Sequence, residues 1–101
     1  MNESPTTDSS LPILNIAGYQ FVRLDQLENL RESLREIALL HQLKGTILLS
    51  EEGINLFLAG LEKDIQQFLD RLRADPRLKS FRTKDSWSSS QPFRKLLIKI
   101  K

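Results

Sequence analysis

Cysteine is absent from the 101 residues, which excludes disulfides, thiolate metal sites, persulfide carriers and cysteine nucleophiles within them. Purely apolar runs are no longer than that from Ile37 to Leu40, far below the roughly 20 residues a membrane-spanning helix needs, so no membrane partner is expected. Residues 1 to 10 are polar and lack a basic segment followed by an apolar stretch. They do not read as a secretory signal, and a cytoplasmic protein is the expectation. No glycine-rich nucleotide loop, catalytic triad or cluster of metal-ligand residues is visible. No catalytic residue, metal or cofactor is therefore assigned.

What is present is ordinary globular composition, 40% hydrophobic and 28% charged, in a length that suits one core. Residues 1–10 read as a disordered leader and 11–101 as a single domain. The net charge of +2 is unevenly spread. Residues 74 to 101 hold eight basic and two acidic side chains, and everything before them holds seven and eleven. The positive field thus lies toward the C-terminal end, where Arg82, Lys84, Arg94, Lys95, Lys99 and Lys101 are candidate contacts to an anionic partner such as RNA. Basic residues on edge strands also serve to keep those edges unpaired.

Hydrophobic periodicity gives the elements. Ile13 to Val22 is β-prone, with Leu14 and Ile16 on one face and Asn15, Ala17 and Tyr19 on the other, and Gly18 marking a bulge or a close backbone approach. Asp25 stands as an N-cap with Glu28 completing a capping box, Leu27, Leu30, Leu34, Ile37 and His41 form a helical stripe, and Lys44-Gly45 end it. Thr46 to Leu49 and Ile54 to Ala59 read as a hairpin around Ser50-Glu51-Glu52-Gly53. With Ile54, Leu56 and Leu58 inward, Asn55, Phe57 and Ala59 emerge on the opposite side, beside Tyr19 if the first strand is central. A second helix carries Ile65, Phe68, Leu69 and Leu72 and closes at Asp75-Pro76. Ser80 to Trp87 alternates loosely, and Phe93 to Lys101 forms a last strand with Leu96, Ile98 and Ile100 inward.

The predicted fold is α+β, a ferredoxin-like βαββαβ antiparallel sheet with two helices on one face and an extra C-terminal strand. The other face then needs water, a partner domain or a ligand. Tyr19, Asn55 and Phe57 are its candidate residues, either as a stacking platform for bases or as a packing surface. His41 reads as a packed or dipole-stabilising residue, Glu51 and Glu52 as a solvated turn, and Trp87 as a loop anchor.

The segment from Lys44-Gly45-Thr46 through Glu52-Gly53-Ile54-Asn55 to Ala59-Gly60 resembles the hairpin signature of a family of rhodanese-related proteins. Asn15-Ile16-Ala17-Gly18-Tyr19-Gln20-Phe21, Leu72-Arg73-Ala74-Asp75-Pro76-Arg77 and Ser86-Trp87 through Gln91-Pro92-Phe93 agree in order and spacing. The resemblance is to the N-terminal domain of the rhodanese-related sulfurtransferase or tRNA uridine hydroxylase family. It implies that a C-terminal rhodanese domain bearing the reactive cysteine would follow Lys101, and that the full protein is an enzyme. Leu56-Phe57 stand where many relatives carry Gly and Thr, a likeness to the sulfurtransferase branch. Two roles follow for this chain: an accessory module positioning tRNA or the catalytic domain, or a purely structural packing module. A third, remoter reading is an acylphosphatase-like hydrolase using Arg23 and Asn55, although Val22-Arg23-Leu24-Asp25 lacks the glycines that let amides converge on a phosphate.

Overall fold

The computed structural model describes residues 11–101. The leader assigned to residues 1–10 lies outside the described residues. Strand β1 spans Ile13–Phe21, helix α1 Leu27–Leu40, β2 Lys44–Ser50, β3 Gly53–Leu61, α2 Glu62–Arg73, β4 Lys84–Ser88 and β5 Leu96–Ile100, with a short 3-10 turn at Pro76–Leu78. The sheet order is β4-β1-β3-β2-β5. Every pair is antiparallel except β2 with β5, which run parallel. This is the expected ferredoxin-like arrangement with its additional strand. Among the described residues no helix is long and apolar enough to cross a membrane.

Alternation in the strands sets the layers. Leu14 and Ile16 of β1, Ile47 and Leu49 of β2, Ile54, Leu56 and Leu58 of β3 and Ile98 of β5 are buried, and they meet the apolar stripes of both helices. Phe68 and Phe81 are the largest fully enclosed side chains. Trp87 packs against this core from the edge, as its anchoring role requires. Gly18 is a close approach and no bulge interrupts its strand. A Cβ there would meet the Arg82 carbonyl oxygen at 2.5 Å and the Phe81 ring at 2.8 Å.

Helix α1 departs from expectation at both ends. Its N-cap is Gln26, in left-handed conformation with φ 52° and no side-chain cap. The Asp25 carboxylate instead accepts from Arg77 Nη1 at 3.0 Å, while Glu28 pairs with Arg31 at 3.1 Å. At the other end, Gln42 takes the left-handed position with φ 57°. Its amide donates to the Leu39 carbonyl, and the Leu43 amide reaches back to Ala38 at 2.9 Å. This is a Schellman closure in which burial of Leu43 offsets the strain that glycine would have avoided. Lys44 and Gly45 therefore lie in β2 and do not end the helix.

Arg77 fastens the 3-10 turn to the segment before α1. Its Nε and Nη2 both donate to Asp75, at 3.0 and 2.7 Å, beside the Asp25 contact. These bonds hold the Asp75 carboxyl below its usual value of 3.8, against the opposing pull of partial burial.

The sequence suggests a loop at Ser88 to Pro92 and a strand from Phe93, whereas β5 begins at Leu96 and residues 89–95 form the crossover. It does more than connect. The two strands occupy opposite edges of a five-stranded sheet, about 19 Å apart, and residues 89–95 reach little further than about 25 Å when extended. The segment must run almost straight across, and it does so over the face without helices. Gln91 Nε2 donates to the Ala59 carbonyl at 3.0 Å, its Oε1 accepts from the Phe93 amide at 3.2 Å, and Phe93 borders a hollow shared with Ala17, Phe57 and Lys84. Ala59, expected to emerge on this face, is 0% exposed.

Candidate functional site

Register lays out the uncovered part of the face in rows. One row runs from Lys99 through Leu48 and Asn55 to Tyr19. The next runs from Leu97 through Thr46, Phe57 and Ala17 to Lys84. Tyr19, Asn55 and Phe57 thus share the surface that strand periodicity assigned to them. Tyr19 is 68% and Phe57 49% exposed, although burying such rings is worth kilocalories.

Phe21 joins them, 85% exposed, with its ring centroid 5.6 Å from that of Tyr19 at an interplanar angle of 58°. It was not among the candidates, yet it lies two residues beyond Tyr19 and the same period-2 rule reaches it. The two rings border a shallow hollow of about 240 Å³ together with Asn55, Ser50 and Lys101. Among the described residues Asn55 has no side-chain hydrogen-bond partner, and its exposed amide faces the same surface as the rings.

The six basic candidates do not form one patch. Lys84 stands on edge strand β4 with Arg82 just before it, and Lys99 stands on the opposite edge strand β5. Arg94 and Lys95 belong to the crossover, at the end of the sheet where β2 begins. Lys101 sits at the other end, in a hollow with Glu51 and Glu52. A dense cationic run in sequence is split in space because β4 and β5 go to opposite edges. What remains on the aromatic face is a lysine at either margin, Lys84 and Lys99, with Lys101 at the end of the hollow beside Tyr19 and Phe21.

His41 is bonded through Nδ1 to Asp64 Oδ1 at 2.7 Å, tying the end of α1 to the first turn of α2. Among the described residues no three His, Asp or Glu side chains are grouped so as to hold a metal ion.

Residues 13–101 match the family described as the UPF0176 acylphosphatase like domain. The chain belongs to that family. Curated relatives of the UPF0176 domain include proteins named tRNA uridine(34) hydroxylase from Variovorax paradoxus, 56% identical over 89 residues, and Delftia acidovorans, 52% identical over 89 residues. In each the match covers 88% of this chain and 34% of the relative. The chain thus spans about a third of their length. The relatives carry the hydroxylase name although Leu56-Phe57 had pointed to the sulfurtransferase branch.

Among solved structures, the dark state of the BLUF protein BlrB superposes with a TM-score of 0.67 at 14% identity, covering 89% of this chain and 74% of that one. An acylphosphatase from Coxiella burnetii does so with a TM-score of 0.53 at 11% identity, covering 97% and 100%. Both likenesses concern the fold. In the UPF0176 domain the segment after β1 is tied down, since the Val22 and Leu24 amides donate to the carbonyls of Glu52 and Glu51, each at 3.1 Å. Two amides that a phosphate cradle would require are committed to the hairpin turn, and Arg23 projects into solvent.

Proposed function

We propose that this domain is a non-catalytic accessory module of a tRNA uridine(34) hydroxylase type of protein, and that its uncovered sheet face holds single-stranded RNA. Tyr19, Phe21 and Phe57 stack bases, Asn55 hydrogen-bonds a base edge, and Lys84 and Lys99 neutralise phosphates at the two margins. The observation that carries this reading is the exposure of three aromatic rings on one face between two edge lysines. An exposed aromatic platform accepts any base, at about 1–3 kcal/mol per base stacked, and the lysines supply the salt-dependent part of the affinity. A tRNA partner also accords with a cytoplasmic location.

The test is titration of the 101-residue chain with tRNA at two salt concentrations, repeated with Tyr19→Ala and with Lys84→Ala plus Lys99→Ala. Tyr19→Ala is expected to weaken binding by about 5- to 150-fold, matching 1–3 kcal/mol. Removing both lysines is expected to lower the salt slope by about 2. Affinity indifferent to Tyr19 and to salt would count against the reading.

The relatives' length favours a second reading, in which the same face packs on the remainder of the protein, a rhodanese domain by resemblance, and never meets nucleic acid. Tyr19→Ser or Phe57→Ser would then destabilise the full-length protein while leaving tRNA affinity untouched.

A further inference from the structure

At the end of the sheet away from the hairpin lies a cleft that the aromatic face does not include. Its walls are the end of α1, the start of β2, the first turn of α2 and the crossover, and it brings together His41, Lys44, Asp64, Arg94 and Lys95. The crossover is locked there by the Gly45 amide, which donates to the Lys95 carbonyl at 3.0 Å. Lys44, at the start of β2, and Lys95, just before β5, are thereby held side by side, although 51 residues separate them in sequence.

Three cations line this cleft with no carboxylate partner within 4.0 Å among the described residues. The one acid lining the cleft, Asp64, is already engaged by His41 at 2.7 Å. Like charges gathered this way repel one another unless an anion joins them. The histidine adds a directional element. The bond between His41 Nδ1 and Asp64 Oδ1 fixes the orientation of the ring at the cleft wall.

We propose that this cleft binds a phosphate group, with Lys44, Arg94 and Lys95 supplying charge and donors. Asp64 holds the His41 ring in place at the wall of the cleft, beside the proposed phosphate. The Arg94 guanidinium matches two phosphate oxygens at once, and the lysines act as point charges beside it. A free phosphate ester and an RNA backbone share this chemistry.

The experiment is nuclear magnetic resonance titration of the isotope-labelled 101-residue chain at low ionic strength. One arm uses inorganic phosphate and the other an oligouridylate without terminal phosphates, with chloride at matched ionic strength as reference. Saturable shifts at the His41 ring and at the Lys44, Gly45, Arg94 and Lys95 amides are expected in at least one arm. Affinity should drop at least about tenfold in Lys44→Ala plus Lys95→Ala, since two charge-assisted contacts are lost. A response to inorganic phosphate assigns a small-ligand site, and a response to the oligouridylate alone assigns a backbone contact. Silence of these resonances in both arms, or equal shifts with chloride, overturns the proposal. Resonances of Asn55, four residues along β3 from the Lys44 partner Ala59, and of its β1 partner Tyr19 report separately on the aromatic face. Failure of either site is thus distinguishable from failure of the other.

Discussion

Replacing Gly45 by alanine would attack the sheet at its least compliant point. Gly45 has φ +133°, and a Cβ there would lie 2.0 Å from the Phe57 carbonyl oxygen and 2.9 Å from the Leu58 Cα. Both atoms are backbone of β3, which is paired on its other side with β1 over nine residues and has no room to retreat. Relief needs a separation of about 1 Å or more, which stretches the ladder between β2 and β3 and pulls on the Gly45 bond to Lys95. The strained dihedral costs about 1–3 kcal/mol, and the overpacking about 1–3 kcal/mol more. The total of roughly 2–6 kcal/mol is a large share of the 5–15 kcal/mol by which domains are usually stable. In urea denaturation followed by circular dichroism, a slope near 2 kcal/mol/M puts the expected fall in midpoint at roughly 1–3 M. Gly60→Ala is the comparison, because a Cβ there meets chiefly the flexible end of Leu43, at 2.4 Å, and its loss should be smaller. A Gly45→Ala midpoint equal to that of the parent would refute the close approach and with it the register of β2 on β3.

The Asp75–Arg77 pair predicts a pH dependence. The folded-state value of Asp75 is lowered chiefly by the Arg77 side-chain hydrogen bond, so its contribution to stability is present above about pH 4 and is lost as pH falls through the lowered value. Stability measured from pH 5 downward should decline less steeply in Arg77→Gln than in the parent, and identical slopes would contradict the pairing. Arg73 donates from both Nε and Nη2 to the Phe81 carbonyl, at 3.0 and 2.8 Å. Arg73→Ala should therefore cost about 1.5–3 kcal/mol in the same urea assay, with Arg73→Lys in between.

Most of the fold is legible in the sequence because its two periods are clean. Leu14 and Ile16, and likewise Ile54, Leu56 and Leu58, alternate inward as period 2 demands, and Ile65, Phe68, Leu69 and Leu72 follow period 3.6. The misread features are those decided by distant partners. Asp25 has the composition of an N-cap, but Arg77, 52 residues on, captures its carboxylate. Gly45 has the composition of a helix stop, but its missing Cβ is needed by Phe57 across the ladder, and Gln42 bears the left-handed strain instead.

The candidate site divides the same way. Asn55 and Phe57 share a face by the local period of β3, Tyr19 joins them because the ferredoxin-like order sets β1 beside β3, and Phe21 follows from extending β1 by one period. The division of the basic residues was not readable, because nothing local says that β4 and β5 go to opposite edges or that β5 runs parallel to β2. For the same reason Lys44 gave no signal as a neighbour of Lys95, and Gln91 none as the lid of Ala59.

Mapping where tRNA perturbs the backbone amides of the domain at low salt tests the accessory-module account most directly. The expected result is a footprint on Tyr19, Phe21, Asn55 and Phe57, bounded by Lys84 and Lys99, with the outer surfaces of α1 and α2 silent. A footprint on the helices, or none at all, would contradict it.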